Sequence, residues 1–227
     1  YHKRSDPATQ FAVERIRALK QSKELGKLTY IRILMPAGDW IAGGFVDRVD
    51  GGDPAPKLAG DPPPQDLDAT LAKKYESFVN YYIHQVNLMR HLLGESYKVT
   101  FADPSGVLLV GTSVSGVPCT LEMTPYRTTV DWQESALVAF EKGYVKLELP
   151  APLASNRAGS VEFLRDPGDG VTPTVERPQL PWVHAMRAQA ENFIKVVRKE
   201  AAPPCEAEEA LEDLLLAREY IRLLTGK

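Results

Sequence analysis

The middle of this chain, from Lys98 to Pro150, consists of short apolar segments separated by turn residues, and this block constrains the fold most. Lys142-Gly143 marks a hairpin turn, and the segment Ala136–Phe140 is apolar at every position. Predicted helices flank the block on both sides: Pro7–Glu24, Tyr75–Leu93, Trp182–Lys199 and Glu206–Leu224. Because strands grouped between helices are typical of α+β domains, we expect a mostly antiparallel open sheet with helices packed on one face.

The order of elements also excludes a nucleotide-binding half. Alternating strand–helix–strand units are absent, and so is a Gly-x-Gly-x-x-Gly fingerprint. Leu28–Met35 predicts a strand that ends at Pro36, and the glycines and prolines of residues 36 to 68 predict a long loop. We therefore expect residues 1–227 to form one domain without a dinucleotide site.

Composition excludes several classes of partner. The formal net charge is −3 with scattered basic residues, which does not favour nucleic-acid binding. No apolar run approaches the roughly 18 residues of a membrane span. Cys119 and Cys205 are too few for a disulfide framework, although one disulfide remains open. A reducing cytoplasm is the expected location.

One predicted helix carries a narrow polar seam on a surface that is otherwise mostly apolar. Its members fall within about 60° of one another at 100° per residue: Asn80, His84, Asn87 and His91. Asn and His are suited to hydrogen bonding at a site, and His exchanges protons near neutral pH. The alternative is a buried helix whose polar groups are satisfied by neighbouring backbone. A metal site is disfavoured because no carboxylate or Cys joins the two histidines.

This seam resembles the signature helix of the Gfo/Idh/MocA oxidoreductases, which include glucose-fructose oxidoreductase and inositol dehydrogenase. In that family Asp-x-x-x-His is followed by a second Asp and, after an apolar run, by Gly. The matching positions here are Asn80, His84, Asn87 and Gly94. The opening Arg4-Ser-Asp-Pro7, the Leu25-Gly26-Lys27-Leu28 entry to a strand, and the two closing helices also resemble the family.

The resemblance implies the C-terminal domain of a two-domain enzyme with a glyceraldehyde-3-phosphate-dehydrogenase-like architecture. It implies an N-terminal Rossmann domain, absent from this chain, that binds NAD or NADP, so we expect the natural protein to extend further upstream. It also implies a sugar or polyol substrate, with His84 as the general acid or base. The chain alone is expected to bind no cofactor and to be inactive.

Asn80 departs from the family pattern. An Asn carries no charge, so it cannot raise the basicity of His84, but it can orient the imidazole or a substrate hydroxyl. Asn87 replaces the second Asp, which weakens the case for tight carbohydrate binding. Either the reaction tolerates these changes, or catalysis differs, or dehydrogenase activity is lost.

Five further residues are candidate substrate contacts, and each also has a purely structural interpretation. Lys3 and Arg4 border the domain junction of family members, or they form an exposed basic pair. Asp39 and Trp40 follow the first strand and could bind a sugar ring, or they pack within the loop. His184 opens a helix and is a weaker candidate, since such a residue is more often a cap or a surface residue.

The leading interpretation is the substrate-side domain of an NAD(P)-dependent dehydrogenase acting on a sugar or polyol. Two alternatives remain open: a non-catalytic ligand-binding or oligomerisation protein of the same fold, and an NAD-dependent glycosidase relative. Because Ala136–Phe140 is apolar at both parities, both faces of that strand should be buried. We therefore predict a homo-oligomer that forms through the open sheet face.

Overall fold

A computed structural model describes residues 1–46, 49–60, 62 and 64–226. Within these residues, a 3₁₀ turn at His2–Ser5 precedes four helices and eight strands. In chain order these are α1 (Pro7–Ser22), β1 (Leu28–Ala37), α2 (Ala69–Leu93), β2 (Tyr97–Ala102), β3 (Leu108–Ser113), β4 (Pro118–Arg127), β5 (Glu134–Phe140), β6 (Gly143–Leu149), β7 (Ser160–Arg165), β8 (Thr174–Glu176), α3 (Ala185–Val197) and α4 (Ala207–Thr225).

All eight strands form one open sheet in the order β2-β3-β4-β1-β5-β6-β7-β8. Every neighbouring pair is antiparallel except β1 and β4, which run parallel with Ile31 opposite Cys119. The predicted hairpin is present, since β5 and β6 pair around the turn at Lys142. The expected α+β class with a mostly antiparallel sheet is confirmed.

One face of the sheet packs under the helices and forms the core. Ile31 and Ile33 of β1 are fully shielded from solvent, and Val138 of β5 is 1% exposed. Helix α1 contacts β6 and β7, α2 contacts β1 and β4, and α4 contacts β2. Side chains of opposite parity, such as Leu34 and Leu137, are only half-buried. This second face, called here the open face, is therefore less buried than the first, and self-association through it stays a prediction.

Local chemistry explains where the first two helices begin and where the second one ends. The Asp6 carboxylate accepts a hydrogen bond from the Ala8 amide, and Pro7 occupies the first position of α1. The Asp68 carboxylate caps α2 by accepting from the amides of Thr70 and Leu71. Gly94, at a left-handed φ of 69°, ends this helix. Helix α2 thus begins six residues before its predicted start at residue 75.

Strand β1 also differs from its prediction, because it passes through Pro36 and ends at Ala37. Its register with β4 shifts between Met35 and Ala37. Proline has no N–H for the ladder, so the strand accommodates it at an irregularity instead of ending there. Of the described residues between 38 and 68, none belongs to a helix or strand, as the predicted loop requires. Within the described chain, no helix combines the length and apolar character needed to cross a membrane.

Candidate functional site

A cavity of about 280 Å³ lies where α2, the 3₁₀ turn, the end of β1 and the start of α3 meet. This volume is close to the lower end of the range for small-molecule pockets, roughly 300–1,000 Å³. The lining is aromatic, amide and imidazole in character with a single ammonium group: His2, Lys3, Met35, Trp40, Asn80, Tyr81, His84, Gln85, Trp132, Pro152 and Met186.

His84 contributes an imidazole ring to the lining of this cavity. The rings of Tyr1 and His2 approach it edge-on, with centroid separations of 5.9 and 4.9 Å. Its Nδ1 atom is buried and has no hydrogen-bond partner among the described residues. Burial, together with the Lys3 ammonium, lowers the pKa of His84 to about 4. The imidazole is therefore uncharged at neutral pH, with one unprotonated ring nitrogen.

A buried carboxylate lies next to the cavity and contacts three of the residues that line it. Glu134, the first residue of β5, accepts hydrogen bonds from Lys3 Nζ at 2.5 Å, Gln85 Nε2 at 2.9 Å and Trp132 Nε1 at 3.2 Å. The Lys3 side chain is 5% exposed and that of Glu134 is fully buried, so the two form an ion pair shielded from water. The Gln85 Oε1 atom is also buried, and it has no hydrogen-bond partner within the described part of the chain.

The loop candidates Asp39 and Trp40 separate in space. Trp40 lines the cavity, with its ring edge-on to Phe45 at 6.4 Å. The Asp39 carboxylate accepts instead from the amides of Ile41 and Ala42, which holds a local turn, and Asp39 does not line the cavity. The structure therefore brings only the aromatic member of this pair to the site.

Arg4 and Asn87 also lie away from the cavity, in a buried polar network. Arg4 Nε donates to Asn87 Oδ1 at 2.8 Å, and its other nitrogens contact Glu209 and the Pro204 carbonyl. Asn87 Nδ2 donates to Asp213 Oδ2 at 2.6 Å. Both side chains therefore have protein partners. Asn80 and Asn87 share a helix face, but seven residues separate them by roughly 10 Å along the axis, too far for one small site.

His184 faces a different cleft. One of its ring nitrogens, Nε2, lies 3.0 Å from the Pro152 carbonyl oxygen. The cleft that it borders has a volume of about 10 Å³, which is room for about one water and not for a sugar. Among the residues that the structure describes, no group of three or more His, Cys, Asp or Glu side chains could hold a metal. Both cysteines are free thiols.

Sequence reasoning missed Gln85, Trp132 and Glu134. Glu134 had left a signal, because it shares the inward parity of Ala136 and Val138 at the start of an apolar strand. A carboxylate on the buried face of a strand needs hydrogen-bonding or charged partners. Such a residue belongs either to a functional site or to a structural ion pair. Gln85 is 1% exposed beside His84, but nothing in the helix periodicity points to the strand that it contacts.

Comparison with solved structures shows similarity in fold to several oxidoreductases. A protein described as an NADPH-dependent oxidoreductase from Desulfitobacterium hafniense matches 94% of this chain with a TM-score of 0.61 and 13% identity. A protein described as a myo-inositol dehydrogenase from Sinorhizobium meliloti matches 99% with a TM-score of 0.54 and 20% identity. Aldose-aldose oxidoreductase from Caulobacter crescentus, complexed with glycerol, matches the whole chain with a TM-score of 0.54 and 15% identity.

The match covers only part of each of these proteins. The chain spans 59%, 62% and 61% of their respective lengths. No family model matches the chain, and no curated protein matches it. At these identities the likeness establishes the fold alone. This chain has the fold of the C-terminal domain of Gfo/Idh/MocA-type oxidoreductases.

Proposed function

We propose that this chain is the substrate-side domain of a cytoplasmic NAD(P)-dependent oxidoreductase that acts on a hydroxyl group of a sugar or polyol. The observation that carries the proposal is that His84, an uncharged imidazole at neutral pH, lines a cavity of about 280 Å³. The cavity adds the hydrogen-bonding amide of Asn80 and the indole rings of Trp40 and Trp132. Such a lining suits a small ligand with apolar C–H faces and hydroxyl edges.

In this proposal His84 accepts the proton of the substrate hydroxyl. An uncharged imidazole can do so without first losing a proton of its own. Asn80, one helical turn earlier on α2, can orient the hydroxyl through its amide. Lys3 uses one ammonium hydrogen on Glu134 and has two more that can hold the substrate oxygen. The aromatic and proline surfaces of the lining limit access of water.

The residues of this chain suit one end of a nicotinamide nucleotide, not the whole of it. When bound, the nicotinamide supplies a hydride acceptor for the carbon that bears the hydroxyl. His84 and Lys3 would face that ring and the substrate. Nucleotide folds hold the pyrophosphate at a helix N-terminus that follows a glycine-rich turn. Helices α1, α2 and α4 each begin with a carboxylate cap, from Asp6, Asp68 and Glu206. Helix α3 has no such cap, but no glycine lies in the stretch 171–184 that leads into it. We therefore assign the pyrophosphate site to a separate nucleotide-binding domain.

One observation favours a second candidate, a non-catalytic ligand-binding or oligomerisation protein of the same fold. A general base works best when its pKa lies near the operating pH, and the pKa of His84 is lowered to about 4 with no carboxylate beside it to raise it. Asn80 stands where an Asp would raise it. An NAD-dependent glycosidase relative would use the same cavity, and release of a leaving group from a glycoside substrate distinguishes it.

The test uses the natural protein that contains this chain, assayed for NAD(P) reduction with sugars and polyols. His84→Ala should lower turnover by about 10²- to 10⁴-fold, the usual contribution of an acid–base group. His184→Ala is the matched control, because this ring borders the other cleft, and it should retain wild-type turnover. Asn80→Asp should raise activity or move its pH optimum. Equal activities for the wild type and the His84 variant would support the non-catalytic alternative.

A further inference from the structure

The lysine that lines the cavity, Lys3, is already paired with a buried carboxylate. Lys3 is the one lysine or arginine among the described lining residues, and no carboxylate lines the cavity directly. Its ammonium pairs at 2.5 Å with Glu134, whose side chain is fully buried directly behind it. His2 and His84 add no charge at neutral pH, since burial lowers the pKa of His2 to about 2 and that of His84 to about 4.

Glu134 is held in place by more than the lysine. Gln85 Nε2 and Trp132 Nε1 also donate to its carboxylate, so three donors from three separate segments fix it. The Lys3 ammonium lies 5.9 Å from the centroid of the Trp132 ring, which positions it further. A cation fixed in this way cannot leave its carboxylate to meet an anionic ligand without leaving a buried charge unpaired.

The chemistry of the lining therefore differs for neutral and for acidic ligands. A carboxylate or phosphate that enters the cavity loses its hydration. It meets no unpaired cation there, because the Lys3 ammonium is already paired with Glu134. A hydroxyl costs much less to desolvate, and it finds the free ammonium hydrogens of Lys3, the amide of Asn80 and the ring nitrogen of His84. Trp40 and Trp132 offer aromatic surface to its carbon skeleton.

We infer that Glu134 is a specificity-determining residue: by neutralising Lys3 it restricts this cavity to uncharged sugars and polyols and keeps sugar acids and sugar phosphates out. This inference rests on the proposed function for the site, and it narrows the substrate class to neutral polyhydroxy compounds. Glu134 acts through Lys3 and does not itself line the cavity, so it is a positioning residue.

The first measurement is the binding of matched ligands to this chain by titration calorimetry, with Trp fluorescence as a second readout. The pairs are glucose with glucuronate and glucitol with gluconate, which differ in one carboxylate. The wild type should bind each neutral member at least about tenfold more tightly, a preference of about 1.4 kcal/mol. Acid binding as tight as neutral binding, or no binding of any of the four, would overturn the inference.

Glu134→Gln is the diagnostic variant because it frees the Lys3 charge while keeping an acceptor oxygen. It should move the acid-to-neutral affinity ratio toward the acid by at least about tenfold. The double variant Lys3→Met/Glu134→Gln leaves no unpaired buried charge and guards against misfolding of the single variant. It should keep the preference for neutral ligands. Glu122→Gln, at the ion pair with Arg32 on the open sheet face, is the matched control and should change nothing.

An unmoved ratio in Glu134→Gln, or a double variant that binds acids better than the wild type does, would refute the role of Glu134. The outcome is separable from the fate of the proposed function. If the natural protein binds neutral ligands selectively but transfers no hydride, the proposed oxidoreductase function is wrong and the inference about Glu134 still holds. If the natural protein oxidises sugar acids in preference to neutral sugars, the oxidoreductase function is supported and the inference about Glu134 is wrong.

Discussion

Within the buried network that joins α2 to α4, the loss of Asp213 should lower the free energy of unfolding more than the loss of any other single residue. Its fully buried carboxylate accepts from Asn87 Nδ2 at 2.6 Å and from Arg90 Nε at 2.8 Å. Asp213→Leu keeps much of the volume but removes both acceptors. Hydrogen bonds to a charged group contribute about 1.5–3 kcal/mol each, which gives roughly 3–6 kcal/mol for two. Breaking a buried ion pair from one side costs about 3–5 kcal/mol, in agreement.

The measurement is the free energy of unfolding from urea titration followed by circular dichroism. The neighbouring residue supplies a matched control, because Glu212 contacts the same Arg90 but its side chain is 51% exposed. Glu212→Leu should cost about 1 kcal/mol or less, as solvent-exposed partners do. Arg90→Met combined with Asp213→Leu should recover part of the loss, since neither charge is then left unpaired. If Asp213→Leu and Glu212→Leu have equal effects, the reasoning about burial is wrong.

Three further predictions concern the cofactor, the pH dependence and the assembly of this chain. Calorimetry should detect no micromolar binding of NAD or NADP to the chain alone, and a micromolar dissociation constant would contradict the assignment of the pyrophosphate site elsewhere. The folded-state pKa of His84, about 4, lies below the unfolded value of about 6.5, so its contribution to stability is present above pH 6.5 and is lost as the pH falls to 4. His84→Gln should therefore flatten the stability profile over that interval by up to about 1.4 kcal/mol per pH unit. Light scattering after size exclusion should show a dimer or larger assembly at tens of micromolar, and a monomer mass would refute the role of the open sheet face.

The sequence was sufficient to predict the class of fold because the relevant signals are local. The alternation in β6 and the turn at Lys142 depend on neighbours a few residues apart, and both appear as expected. The start of α2 was misplaced because its first turns are mostly exposed and carry Lys73 and Lys74, so the apolar pattern begins late. Asp68 was the better marker of the helix start, since it caps two amides.

The site itself was only half accessible from the sequence. Helical periodicity placed Asn80 and His84 on one face, and the structure brings both to the cavity. Periodicity gives angles around the helix axis but not what lies opposite each turn. Periodicity therefore groups Asn87 with the same site, whereas in the structure Arg4 and Asp213 occupy its hydrogen-bonding groups. Those partners come from opposite ends of the chain, and a pairing of that kind leaves no trace in local spacing.

The parallel pairing of β1 with β4 has a consequence for how the protein is made. Ile31 pairs on one side with Cys119 and on the other with Val138, so both neighbours of this strand are synthesised about 90–110 residues after it. At about 5–20 residues per second, a ribosome needs several seconds to deliver them. During that interval a strand rich in apolar and β-branched residues has two unpaired edges. The contacts that would offset the entropy cost of closing these long loops have not yet formed. Nascent chains stalled before residue 118 should therefore be the ones that chaperones hold and that aggregate when chaperones are scarce.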